Sequence, residues 1–277
     1  MALPTDHSRR EVRAPGEFAG QAALVTGASG EIGGAIAAFF LRADASVVWV
    51  GRDRGRLEAR ARGLCLPSGH SLFVRADVRR ERDVCRAVES AIKRFGRIDI
   101  LVNNAGARGP TAPIHRLGLK QWREVLDTNL TGAFLCSREC LRHMARRRQG
   151  RIVNISTVVS RWAYPLRAAY AASKAGLNSL TMTLAQEAGA VNVQVNAICP
   201  GPVAGQALDG VIAARAKALR IPVPTMRAQF MRPAALRRAV VAEDVAHAVL
   251  FLCSRAARNI TGQIIDVSAG YGIGPGV

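Results

Sequence analysis

The stretch Y-A-A-S-K at 170–174 sets a phenol and an ammonium four residues apart. That spacing puts Tyr170 and Lys174 on one face of a helix. The pair is uncommon in a composition with three tyrosines and four lysines in 277 residues. A free phenol, with a pKa of ~10, holds its proton too tightly for acid–base work at neutral pH. A lysine ammonium about 4 Å away, at an effective dielectric of ~20, supplies on the order of 4 kcal/mol and would bring the phenol toward ~7. Near that value, proton exchange is most effective. The plainer reading of the same residues is a half-buried tyrosine beside a lysine whose stem lies along apolar surface.

A second chemical signal is T-G-A-S-G-E-I-G at 26–33, which follows the apolar run A-A-L-V-T (22–26) and opens a helix-like segment at 32–41. A glycine turn so placed presents backbone amides at the positive end of a helix, a seat for phosphate. Such turns also exist for packing alone. Glu31 in the middle is unusual for a phosphate site. Its expected place is the first helical turn, carboxylate toward solvent or a nearby arginine, with Gly30 making the close backbone approach. About 20 residues on, after the second strand, comes Gly51-Arg52-Asp53-Arg54. A carboxylate at the strand end would favour NAD, whereas an arginine meets the extra phosphate of NADP. Gly51 holds that slot and Arg52 follows, so NADP is the preferred cofactor. Asp53 leaves NAD open, and the bland reading of Arg52 is one more solvated arginine.

These residues need a frame. Apolar strand-like runs at 22–26, 46–50, 71–77, 98–104, 151–156, 191–198 and 263–267 alternate with helix-like segments, including long ones over 120–148 and 168–188. The fold class expected is α/β: one doubly wound domain, a parallel sheet of about seven strands with helices on both faces. Ligands of such sheets bind beyond the strand C-termini. Residues 1–18 read as a basic flexible tail, and 19–277 as the domain, with a substrate lid at about 205–240.

The net charge is +19, almost entirely arginine. It is spread along every helix with few aromatics, unlike a nucleic-acid footprint, which clusters basic and stacking residues. No apolar run is long enough for a membrane span, and the N-terminus lacks the apolar core of a secretory signal. The six cysteines form no C-x-x-C pair, so reduced thiols in a cytoplasm are expected. Cys136 and Cys140 without neighbouring ligands make no metal site.

Further along stand N-N-A-G (103–106) at the end of the fourth strand, Ser156-Thr157 at the end of the fifth and P-G-P-V (200–203) after the sixth. With the glycine turn and Y-A-A-S-K, this ordered set resembles the short-chain dehydrogenase/reductase family from about Gly20 to Gly270. The resemblance implies a single Rossmann domain, a nicotinamide cofactor, and hydride transfer to or from a carbonyl or secondary alcohol. It implies Tyr170 as acid/base, Lys174 lowering its pKa and holding the nicotinamide ribose, Thr157 in place of the family's orienting serine, and Asn129 of D-T-N-L-T-G holding a relay water. Cofactor contacts are implied for Thr26, Gly27, Ser29, Gly30, Ile32, Gly33, Asp77, Val78, Asn103, Ala105, Gly106, Pro200, Gly201 and Val203, beside Arg52. The long helices imply a four-helix contact and hence a homodimer or homotetramer.

Three positions depart from the family's pattern: Glu31 where a glycine is usual, Thr157 for serine, and Gly205 where a threonine often stands. They motivate a second reading, a cofactor-binding relative with little catalysis; the third, a nucleic-acid-associated protein, rests on the charge alone. The lid carries Arg215, Lys217, Arg220, Arg227, Arg232, Arg237 and Arg238, and R-W-A-Y-P-L-R (161–167) forms the opposite wall with Trp162 and Tyr164. A basic lid suits an anionic substrate such as a carboxylate or a thioester on coenzyme A or an acidic carrier protein. A 3-oxoacyl-thioester reductase is the specific activity expected.

Overall fold

A computed structural model describes residues 16–64, 66 and 69–273. Seven strands, β1 (Ala22–Thr26), β2 (Ser46–Gly51), β3 (Ser71–Arg75), β4 (Ile100–Asn103), β5 (Gly150–Ile155), β6 (Val193–Pro200) and β7 (Ile264–Val267), form one parallel sheet in the order β3-β2-β1-β4-β5-β6-β7. Their β-branched and leucine side chains alternate between two buried faces, as a sheet covered on both sides requires. Ala23, Val25, Val47 and Trp49 join the core under α1 (Glu31–Arg42) and α9 (Ala242–Cys253), with Leu57 of α2 (Arg54–Arg62). Leu24, Val48 and Val50 join the other, under α3 (Glu81–Phe95), α5 (Gly132–Arg147) and α6 (Ala168–Gly189). The strand order reverses between β1 and β4, so the crevice of the fold opens there.

Two departures from the sequence reading concern elements. Most of the expected tail lies outside the described residues, but Phe18 does not belong to a tail. It is 1% exposed, its amide donates to Ala43 O at 3.0 Å, and its ring meets Phe40 edge-on. The single helix expected over 120–148 is broken into α4 (Leu119–Leu126), a π-helical turn (Asp127–Thr131) and α5. The segment expected as a lid forms two helices, α7 (Gln206–Leu219) and α8 (Val223–Met231), with a small core of their own: Leu208, Ile212, Met226 and Phe230. Among the described residues no helix is long and apolar enough to cross a membrane.

Candidate active site

A cleft of about 570 Å³ runs over the C-terminal ends of β1, β2, β4 and β5. One end holds Arg52, Arg56, Asp77, Val78 and Arg79; the glycine turn lies in the middle; Thr157, Tyr170, Lys174, Pro200, Gly201 and Val203 close the other end. A larger groove of about 740 Å³ follows the outer edge strand β3 and contains none of the acid–base residues.

Within the turn the three glycines do different things. Gly27, at φ +64°, and Gly33 leave no room for a side chain, because a Cβ on either would run into Asn104 and backbone atoms. Gly30 is exposed and would meet only Gly27 O, at 3.4 Å, so its backbone is the one open to a ligand. Gly30 is also the N-cap of α1 and has no side chain to occupy the helix's free amides. Ser29, Ile32 and Gly33 line the same stretch.

Glu31 does not point to solvent or to an arginine. Its Oε1 accepts the amide of Gln206 at 3.0 Å, so the carboxylate sits at the N-terminus of lid helix α7. Gly205, at φ +134°, abuts the same carboxylate where its Cβ would be. The dipole of α7 offsets the acid's charge beside the phosphate seat. The two sequence departures, an acid at 31 and a glycine at 205, are therefore one contact.

At the adenosine end, Asp53 is occupied. It caps α2, its carboxylate accepting the Arg56 amide at 3.1 Å. Arg52 and Arg56 are exposed at the cleft. Asp77 is held by Arg79 through Nε–Oδ1 (2.9 Å) and Nη2–Oδ2 (2.6 Å), which keeps its carboxyl below the usual range.

Four expected site residues, three for cofactor or relay and one for substrate, turn away from the cleft or only flank it. Thr26 is buried; its hydroxyl donates to Val102 O (3.3 Å) and accepts the amides of Asn104 and Ala105 (both 3.0 Å), tying β1 to β4. Asn103 points into the interior, donating to Ser137 Oγ (2.9 Å) and Asn154 Oδ1 (2.8 Å). Its neighbour Asn104, which sequence reasoning passed over, braces the turn by donating to Thr26 O at 2.9 Å and Gly27 O at 3.2 Å. Alternation along the strand, which sends adjacent side chains to opposite sides, was the available signal. Asn129 lies in the π-helical turn and is 1% exposed. Its Nδ2 donates to Ala107 O and Ser173 Oγ (both 2.9 Å) and its Oδ1 accepts the Ala107 amide (2.7 Å), so its side chain pins the loop after β4 to α6. Trp162 is 40% exposed, packs against Gly272 and does not line the cleft.

Tyr170, Thr157 and Lys174 do converge. Ser156 turns the other way, donating to Lys174 O at 3.3 Å, while Thr157 lines the same cleft end as Tyr170. The electrostatics differ from expectation. Lys174 donates to Ile155 O at 2.7 Å, and burial pulls its ammonium down to about 8. The Tyr170 phenol is held above its ordinary value by burial, against the opposing pull of Thr157, Arg167 and Arg108. The nearest cation over its ring is Arg167, 5.4 Å from the centroid, rather than Lys174.

Beyond Tyr170 a smaller cavity of about 150 Å³ lies under the lid, lined by Thr157, Tyr164, Arg167, Leu208 and Phe230 among others.

A family model described as enoyl-(acyl carrier protein) reductase matches residues 27–272. The chain belongs to the short-chain dehydrogenase/reductase family. Its relatives include a cis-4-hydroxycyclohexanecarboxylate dehydrogenase of Sinomonas cyclohexanicum, 35% identical over 92% of this chain and 97% of the relative. Another is a 3-oxoacyl-(acyl-carrier-protein) reductase of Aquifex aeolicus (strain VF5), 36% identical over 91% and 97%. Among solved structures, NAD+-bound xylitol dehydrogenase matches with a TM-score of 0.87 at 30% identity, covering 92% of this chain and 100% of that one. An actinorhodin polyketide ketoreductase variant with NADPH matches with a TM-score of 0.86 at 29% identity, covering 91% and 97%. This short-chain dehydrogenase/reductase is accordingly an NAD(P)-dependent oxidoreductase.

The residues present suit such a cofactor. Gly30 leaves a cradle that a side chain would fill, and Lys174, 4% exposed, uses one of its three donors on Ile155 O. Lys174 lines the cleft end, where ribose hydroxyls would take the remaining two.

Proposed function

We propose that this short-chain dehydrogenase/reductase uses NADP and interconverts a small ketone and its secondary alcohol, with Tyr170 as the general acid and base. The observation that carries the reading is the meeting of Tyr170, Thr157 and Lys174 at one end of a dinucleotide-sized cleft. The cofactor, when bound, supplies or accepts the hydride. In reduction the Tyr170 hydroxyl gives its proton to the carbonyl oxygen as the carbon gains hydride, and the phenolate is then reprotonated from solvent. Thr157 orients the carbonyl by donating to the same oxygen. Lys174 holds the nicotinamide ribose, and Asn129 acts by fixing the loop of Ala105 and Gly106 rather than through its own amide.

NADP is favoured because Asp53 is engaged as a helix cap, leaving Arg52 and Arg56 as the groups for the adenosine ribose. Titration with NADPH and NADH separately tests this. Replacing Arg52 and Arg56 by serine should weaken NADPH about tenfold or more and leave NADH nearly unchanged. Tighter binding of NADH than NADPH by the wild type would reverse the assignment.

On substrate, the relatives' names offer a hydroxycyclohexanecarboxylate and a 3-oxoacyl carrier thioester. The 150 Å³ cavity, well below the ~300–1,000 Å³ typical of drug-sized ligands, favours one small ring or short chain. The thioester stands as the second reading because Lys217, Arg220, Arg232, Arg237 and Arg238 are exposed on the lid, where an acidic carrier would dock. Self-association through α5 and α6, which expose Phe134 and Met182, into a dimer or tetramer completes the proposal.

A further inference from the structure

Arg167 is the N-cap residue of α6, three positions before Tyr170, and is 5% exposed. Among the described residues its side chain makes one hydrogen bond: Nη1 donates to Thr111 Oγ1 at 3.1 Å. Its Nε is buried with no partner, and no carboxylate lies within ion-pair distance of the guanidinium among the described residues. The charged groups around it are cations too. Arg108 donates to Ala207 O (2.8 Å), and Arg215 donates to Pro165 O (3.2 Å) while lying 5.0 Å over the Tyr164 ring.

Among the described residues Arg60, Arg138, Arg151 and Arg215 also bury an Nε with no partner, but of these five only Arg167 lines the cavity beside Tyr170. The partly buried Arg97 has a bidentate partner in Asp99, at 2.6 Å through each arm. Desolvating a charge costs several kcal/mol unless a counter-charge offsets it. Burial accordingly draws the Arg167 guanidinium below its usual value. A planar fork with unused donors, in an otherwise mainly apolar cavity, matches one ligand group best: a carboxylate, taken bidentately.

We propose that Arg167 receives a carboxylate on the substrate, so that this enzyme acts on small hydroxy- and oxo-carboxylates rather than on neutral alcohols or long acyl thioesters. The proposal rests on the Tyr170-centred reaction for its orientation: the carboxylate end lies at Arg167 and the reacting carbon at Tyr170 and Thr157, which line the same cavity.

Binding without turnover separates this inference from the reaction itself. Calorimetry on the enzyme saturated with NADP+ would compare acetate, benzoate and cyclohexanecarboxylate with their carboxamides, none of which can be reduced or oxidised at an alcohol. At least one carboxylate should bind tenfold or more tightly than its amide. Arg167→Gln should erase that preference, Arg167→Lys should keep part of it, and Tyr170→Phe should keep it. NADPH affinity, measured in the same variants, reports that the nucleotide cleft is intact. Equal affinity for acid and amide in every wild-type pair, or no binding of any acid, overturns the proposal. So does a preference that survives Arg167→Gln, or turnover of an acetoacetyl thioester that is indifferent to that change.

Discussion

At the residue scale, the tyrosine–lysine pair was legible because a spacing of four on a helix leaves little freedom in where two side chains lie. What could not be read was the direction of the lysine within that face. Lys174 turns to the carbonyl of Ile155, and its burial, rather than an effect on Tyr170, dominates its electrostatics. The consequence is measurable. Folding lowers the Lys174 pKa from 10.5 to about 8, so between those values the unfolded chain binds more protons than the folded one. Stability of the cofactor-free protein should therefore rise as pH climbs from about 8 to about 10.5, relieving a penalty on the order of 3 kcal/mol that is fully present at lower pH. Denaturant melts across that window should show the rise in the wild type and its loss in Lys174→Met. Equal slopes would mean that the ammonium is better solvated than its 4% exposure implies. The same scale explains the misplacement of Asn103: the motif named both asparagines, but strand alternation sends Asn103 into the interior and leaves Asn104 to brace the turn.

At the element scale, the seven strands were legible from apolar runs alternating with helix-like segments, and the helical insert after β6 from its length. The break of one long helix at Asp127–Thr131 was not, because every residue there tolerates helix and the π turn is set by the Asn129 bonds to Ala107 and Ser173. The most informative element contact joins the turn of α1 to the N-terminus of α7. In the sequence the acid at 31 and the glycine at 205 stood as separate departures from the family's pattern. Gly205 holds a φ of +134°, which costs a side-chain-bearing residue roughly 1–3 kcal/mol, and the Glu31 carboxylate fills the space besides. Gly205→Ala should therefore loosen the lid, seen as faster hydrogen exchange over 206–240 and a raised KM, with little change in global melting. In a Glu31→Ala background the same change should cost less, since only the backbone strain remains. Additive effects in that double-mutant cycle would show that the contact does not couple the two elements.

At the scale of the whole molecule, one crevice organises everything. The sheet reverses its order between β1 and β4, and the glycine turn, Arg52, Arg56, Thr157, Tyr170 and Lys174 all lie along the cleft that opens there. The net charge of +19 looked diffuse in sequence, and most of it is. Its meaningful part is small and local: Arg52 and Arg56 at one end of the cleft, Arg108 and Arg167 at the other. Composition could not separate those four from the rest, because what distinguishes them is where the fold places them, along the cleft and the cavity beside Tyr170. The central claim is that Tyr170 exchanges the proton at the far end of that cleft. Substituting Tyr170→Phe and following turnover on an oxo-carboxylate alongside NADPH binding tests it most directly. The account predicts a loss of roughly 10²–10⁴ in kcat with nucleotide affinity unchanged, whereas a variant that turns over at the wild-type rate would contradict it.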